Sequence, residues 1–350
     1  MLEREGVITR KHGSGLYVSA KNKTRHIAFC RNFFPGIIVQ LLESGLIQAC
    51  ASRKWILTTH QFQKNKSDLL AEDVRADGIV VLNDIFNYNY DISKTLLASE
   101  TPLVELGGNG ESMAVDLVTA DEKAAFSIIL KKLASLGHRR IAYLNSEPAN
   151  NETNRKLADF KNLTGESNLA VCPVIECHTQ EGQYSVVSAT HAMHEFLDRH
   201  PKILPFTAII SCSSPGSIAA MRVLHEHGWR IPQDCSVICM QEDPIAPYVI
   251  PAITNLKWDY GKWGDYCIEL IEKRLDGEAS PGKQSMKIVP DFNWRESVDK
   301  APPSKRNRSP SKIVKRRNSH VIGSKMPTPS NKNSKSETKS TATQKSKKRT

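Results

Sequence analysis

Arg10-Lys11-His12-Gly13-Ser14-Gly15 sets two cations and an imidazole on a glycine-rich tip between Val7-Ile8-Thr9 and Leu16-Tyr17-Val18. Two short apolar runs joined this way read as a hairpin, and a basic tip is suited to anionic oxygens. Upstream, Leu2-Glu3-Arg4-Glu5-Gly6 reads as the last turn of a helix with a glycine stop. Phe33, Phe34, Asn83 and Asp84 follow the first and third apolar runs of the next segment. Aromatic faces, an amide and a carboxylate at such ends are groups that hold a small polar ligand. Other combinations promise less. His225-Glu226-His227 closes a helical stretch, and a spacing of two puts the imidazoles on different faces, so they read as exposed side chains. Cys235 and Cys239 are four apart, but no neighbouring Cys/His pair completes a zinc site, and no metal is expected. Gly107-Gly108-Asn109-Gly110 reads as a turn. The sequence has no P-loop, Gly-x-Ser-x-Gly, His-Glu-x-x-His or dinucleotide fingerprint, so neither enzyme chemistry nor a cofactor is expected.

The elements that would position these groups alternate. Arg25–Cys30 is an apolar strand, followed by helical spacing over 36–54. Trp55–Thr59 is a second strand, with a helix around Lys66–Ala76. Asp77–Leu82 and Pro102–Leu106 are further strands, and Asp121–Leu136 is a long amphipathic helix ended by Gly137. Arg140–Leu144 opens a second series, with helices over 152–164, 183–199 and 216–227 and strands at 171–176, 207–211 and 236–240. Continuous apolar strands between amphipathic helices imply parallel sheets covered on both faces. The expected fold is therefore α/β, with two doubly wound parallel-sheet lobes that meet near 100–140 and cross again near 240–260. Ligands in such folds sit beyond the carboxyl ends of the strands, here between the lobes.

Charge divides the chain of net +11. Residues 301–350 hold 15 Lys/Arg and one acid, Glu337, and so carry +14, leaving −3 for the first 300. That basic segment has no aromatic residue and too little apolar area to offset its chain entropy, which predicts disorder over 300–350 and a polyanion tether or a solubilising extension. No apolar run is of membrane-spanning length and no signal peptide is apparent. The eight cysteines fall mostly inside apolar runs and read as buried free thiols of a reducing, cytoplasmic compartment.

Residues 1–19 resemble the end of the winged helix-turn-helix of GntR-type transcription regulators, in which Leu-x-x-x-Gly-hydrophobic-Ile leads to a wing with Gly-x-Gly before an aromatic and Val. The helices that precede the wing in that family, the recognition helix among them, are not in this sequence. Over residues 24–299 a second resemblance holds. Gly137-His138-Arg139-Arg140-Ile141-Ala142, Asp77-Gly78-Ile79-Val80, Gly228-Trp229-Arg230-Ile231-Pro232-Gln233-Asp234-Cys235-Ser236-Val237, Pro251-Ala252-Ile253-Thr254 and Arg295-Glu296-Ser297 resemble, in order, motifs of LacI/GalR-type effector domains. A GntR-type wing joined to such a domain is the arrangement of the GntR-type arabinose repressors. The resemblance implies a DNA-associated, homodimeric repressor, cytoplasmic and nucleoid-associated, controlled by a small polar or carbohydrate-related effector. Arg10, Lys11, His12 and Gly13 would meet DNA backbone or minor groove through the wing.

It also implies a ligand pocket that includes Lys156, Ser214 and Gln241, and there the pattern departs. Lys156 stands for an Arg whose planar fork holds hydroxyls, and the two are not equivalent. Ser213-Ser214 stands for Asn-Asp, and Met240-Gln241-Glu242 for an aromatic followed by acids. Fewer charge-assisted bonds predict weak binding of common monosaccharides, with a different effector or ligand control lost. The alternatives are a stand-alone cytosolic small-molecule binding protein without DNA binding, and a cytosolic enzyme on the same fold.

Overall fold

A computed structural model describes residues 8–11, 15–18, 24–32, 36–62, 74–83, 85, 90–108, 115–167, 169–170, 173–180 and 183–303. The chain opens on an antiparallel hairpin of β1 (Ile8–Lys11) and β2 (Gly15–Val18), in the register Ile8 to Val18 and Lys11 to Gly15. His12 and Gly13 lie outside the described residues, as does the segment 304–350.

The first lobe follows from β3 (His26–Asn32), α1 (Ile37–Ser52), β4 (Ile56–Phe62), β5 (Gly78–Leu82), α2 (Tyr90–Ala98), β6 (Leu103–Leu106) and β7 (Asp116–Ala120). Every residue of β5 and β6 is buried, as a strand covered on both faces requires. The helix expected around Lys66–Ala76 falls mostly on residues that are not described, and 74–76 are irregular.

The second lobe contains α3 (Glu122–Ser135), β8 (Ile141–Asn145), α4 (Asn151–Glu166), β9 (Val174–Glu176), α5 (Ser185–Asp198), β10 (Ala208–Ser211), α6 (Ser214–Glu226), β11 (Ser236–Cys239) and β12 (Thr254–Lys257). Phe126 of α3, Tyr143 of β8 and Phe160 of α4 are fully buried and meet at ring-centroid distances of 5.0 to 6.0 Å, which fastens both helices to this sheet. The chain then returns. α7 (Tyr260–Leu275) and β13 (Ser285–Ile288) join the first lobe, and β14 (Asp291–Asn293) the second. The sheets run β13-β7-β6-β5-β3-β4 and β14-β12-β11-β10-β8-β9, parallel throughout except for β14 against β12.

This is the expected two-lobed α/β fold with one correction: the chain passes between the lobes three times, not twice. The passages are at Asp121, at Trp258–Asp259 and after Ile288. The Asp121 amide donates to the Ile288 carbonyl at 2.8 Å, so the first and third strands of the junction are bonded to each other. α7 is held to the first lobe by Arg274, which forks onto buried Asp116 at 2.7 and 2.8 Å.

The Gly137-His138 motif has a structural basis. Gly137, at φ +89, ends α3 in the left-handed region that favours glycine. His138 is fully buried, with Nε2 donating to the Asp299 carbonyl and Nδ1 2.9 Å from Thr207 Oγ1. Ser297, from the closing motif, bonds to the β11 and β12 backbone through Val237 O and Thr254 N. These motifs tie the chain's return onto the second sheet. Seven of the cysteines are free and buried, and Cys172 lies outside the described residues.

Candidate functional site

A cavity of about 350 Å³ lies where the carboxyl ends of both sheets converge. Strand ends supply Asn83 after β5, Gly107 after β6, Glu147 after β8 and Gln241 after β11. Helices supply Ile37, Val39 and Leu42 from α1, Glu152, Arg155 and Lys156 from α4, and Tyr260 and Trp263 from α7. The first lobe thus gives an apolar wall, and the second gives most of the charge.

The α4 charges are placed by a reciprocal cap. Asn150 Oδ1 accepts from the Thr153 amide and Thr153 Oγ1 from the Asn150 amide, each at 2.9 Å. One turn on, Lys156 Nζ lies 2.7 Å from Glu152 Oε1 and 3.2 Å from Glu122 Oε1 at the start of α3. Asn83 Nδ2 donates to the other oxygen of Glu152 at 2.9 Å, so a first-lobe strand end is bonded to a second-lobe helix. Burial lowers the affinity of Lys156 for its proton, but Glu122 and Glu152 outweigh that effect and hold the ammonium well above the ordinary lysine range. Burial pushes the Glu122 carboxyl up, against the opposing pull of Lys156.

Glu147 is also pushed up by burial, with Lys156 and a hydrogen bond to Ser213 acting the other way. Ser213 is wholly buried, caps α6 by accepting from the Gly216 amide at 3.2 Å, and lies 2.7 Å from Ser146 Oγ. Gly216 leaves no room for a side chain: a Cβ there would stand 2.3 Å from Ser146 Oγ. The Ser214 amide donates to Gln241 Oε1 at 3.4 Å.

Asn83, Lys156 and Gln241 therefore line the cavity. Ser214 is 1% exposed and lies behind that wall. Phe33, Phe34 and Asp84 lie outside the described residues, and Arg10 and Lys11 stand in β1. Lys156, which stands where the resembled family has a forked cation, is clamped by two carboxylates. One expectation is corrected. His227 is not a free exposed side chain: it is half-buried, with Nε2 3.1 Å from His194 Nδ1 across α5 and α6, whereas His225 is exposed. Among the described residues no group of three or more His, Cys, Asp or Glu is disposed to hold a metal ion.

Sequence reasoning missed Glu122, Glu147, Glu152, Arg155, Trp258, Tyr260 and Trp263. The usable signal for four of them was position: Glu122, Glu147 and Trp258 fall within two residues of a strand end, and Glu152 starts the helix after one.

A family profile described as "Periplasmic binding protein-like domain" matches residues 130–298. The chain is 25% identical over 212 residues to the HTH-type transcriptional regulator AscG of Escherichia coli (strain K12), covering 60% of this chain and 61% of that protein. It is 26% identical over 239 residues to the HTH-type transcriptional repressor PurR of Histophilus somni (strain 129Pt), covering 67% and 68%. The match thus spans about three-fifths of the first relative's length. The crystal structure of a LacI family transcriptional regulator from Bifidobacterium animalis subsp. lactis superimposes with a TM-score of 0.65 at 21% identity, covering 79% of this chain and 98% of that one. The two-lobed fold is thus the periplasmic-binding-protein-like fold found in LacI-family regulators.

Proposed function

We propose that this chain is a DNA-associated transcription regulator of the repressor type, whose residues 24–299 bind a small polar effector between two lobes. The observation that carries this reading is the cavity itself, enclosed by both sheets' strand ends and bridged by the Asn83–Glu152 bond. A ligand there would favour the closed over the open arrangement by its differential contacts with the two lobes, which is the physical requirement for an effector switch. The regulator names of the relatives, none of them an enzyme's, support the same reading.

The antiparallel β1–β2 hairpin supports a GntR-type wing over residues 1–19, with Arg10, Lys11, His12 and Gly13 at DNA. Residues 300–350 form a basic tail. Homodimerisation is supported by apolar exposure on the second lobe, where Tyr248 and Ile250 are 82% and 95% exposed. The protein acts in the cytoplasm at the nucleoid. Among the described residues no helix is long and apolar enough to cross a membrane.

The test is a gel shift of the purified full chain on the DNA upstream of its own gene against random DNA of equal length. Selective binding supports regulation. Equal binding of both, together with tight binding of a small ligand, would leave a stand-alone binding protein instead.

A further inference from the structure

Among the described residues, four carboxylates border the cavity, Glu122, Glu147, Glu152 and Asp243, against two cations, Arg155 and Lys156. Lys156 is committed to Glu122 and Glu152. No described Lys, Arg or His stands within ion-pair distance of Glu147 or Asp243. The side-chain partner of Glu147 is a serine hydroxyl, and Asp243 Oδ1 accepts the Ile245 amide at 2.9 Å. Each carboxylate keeps acceptor sites in hand, because an ionised one can take about four bonds.

The opposite wall is aromatic. Trp258 and Trp263 meet edge to face at 6.0 Å, with Tyr260 beside them. Trp263 is 6% exposed, and among the described residues its Nε1–H has no acceptor. Aromatic faces attract cations. A neutral ligand would leave Glu147 and Asp243 without a contacting cation in a site it has made drier, which is costly.

We infer that, on the effector role proposed above, the ligand of this cavity carries a protonated amine on a small hydroxylated skeleton, of the amino-sugar or amino-alcohol class, with the ammonium set against Glu147 and Asp243. The Gln241 and Asn83 side chains also line the cavity, one from each lobe. A primary ammonium brings three donors to a site rich in acceptors. Selection then follows from charge: the hydroxyl analogue fits the space but leaves the carboxylates unpaired.

Calorimetry on the full chain with matched pairs tests this: glucosamine against glucose, and galactosamine against galactose. Each amine is expected to bind at least about tenfold tighter than its hydroxyl twin, the scale of one charge-assisted bond. Glu147→Gln and Asp243→Asn should each bring that ratio toward one, by weakening the amine and by relieving the hydroxyl twin of an unpaired carboxylate, with melting curves checking that the variants fold. Hydroxyl twins that bind as tightly as the amines, or a ratio untouched in both variants, would overturn the amine inference while the effector reading survives. Binding by neither member of either pair at millimolar concentration would count against both.

Discussion

Lys156 is the residue on which the charge balance of the site turns. Its ammonium is shared by Glu122 and Glu152 at 3.2 and 2.7 Å, and its side chain is 16% exposed. Lys156→Met would leave two carboxylates facing each other without a cation. The expected loss is about 2–4 kcal/mol, somewhat under the 3–5 found when a fully buried pair loses one partner. Urea unfolding measures it, and a loss below about 1 kcal/mol would mean that water already carries much of that charge. Glu147 gives a pH dependence. Its carboxyl is raised by burial above the ordinary 4.5, so over that window the folded chain keeps a proton that the unfolded chain has released. Stability tied to Glu147 is therefore present below the ordinary carboxylate value and is lost as pH rises toward the raised one. Unfolding midpoints at about pH 5 and about pH 7 should show a larger fall for the wild type than for Glu147→Gln. A parallel fall in both would remove Glu147 from the account.

Between elements, the tightest packing is that of α1 against α7, and it sets the apolar wall. A Cβ on Gly45 would stand 1.9 Å from the Tyr260 carbonyl oxygen, and one on Gly264 2.2 Å from the Gly45 carbonyl oxygen. The helices touch backbone to backbone, and no side chain fits between them. Gly264→Ala must push α7 away from α1, at a cost of about 1–3 kcal/mol as overpacking usually gives. Because Tyr260 and Trp263 ride on α7, ligand affinity should fall along with the melting temperature. A variant that melts like wild type would show that the helices part without strain. Much of this scale was legible in the chain. Ile79-Val80-Val81 and Ile209-Ile210 read as doubly covered strands and are. The placement of α7 was not legible, since helical spacing over 260–275 does not say which lobe takes it. That choice is made by Arg274 reaching Asp116, a pair far apart in sequence. β13 and β14 are too short to show a period. The Lys156 clamp escaped for the same reason: its i,i+4 partner Glu152 could be read from the helix, but Glu122 comes from another one.

At the scale of the whole molecule the charge is segregated along the chain, with +14 on residues 301–350 and −3 on the rest. A duplex presents a dense row of phosphates, and each one neutralised by Lys or Arg releases condensed counterions. Affinity without sequence preference should therefore come from the terminal segment. The lobes are net negative and contribute little to it. The hairpin adds only Arg10, Lys11 and His12. If roughly six of the 15 Lys and Arg engage, the slope of log affinity against log salt should be about −5, from the usual −0.9 per phosphate. A chain ending at Lys300 should lose most of this affinity and most of the slope. Gel shifts or anisotropy with full-length and truncated protein at two salt concentrations read both quantities. Truncated protein that still holds one sequence over random DNA would place recognition in the hairpin and lobes, since a reader of phosphates alone carries no base information. Full-length protein with a slope near zero would separate the basic segment from DNA altogether.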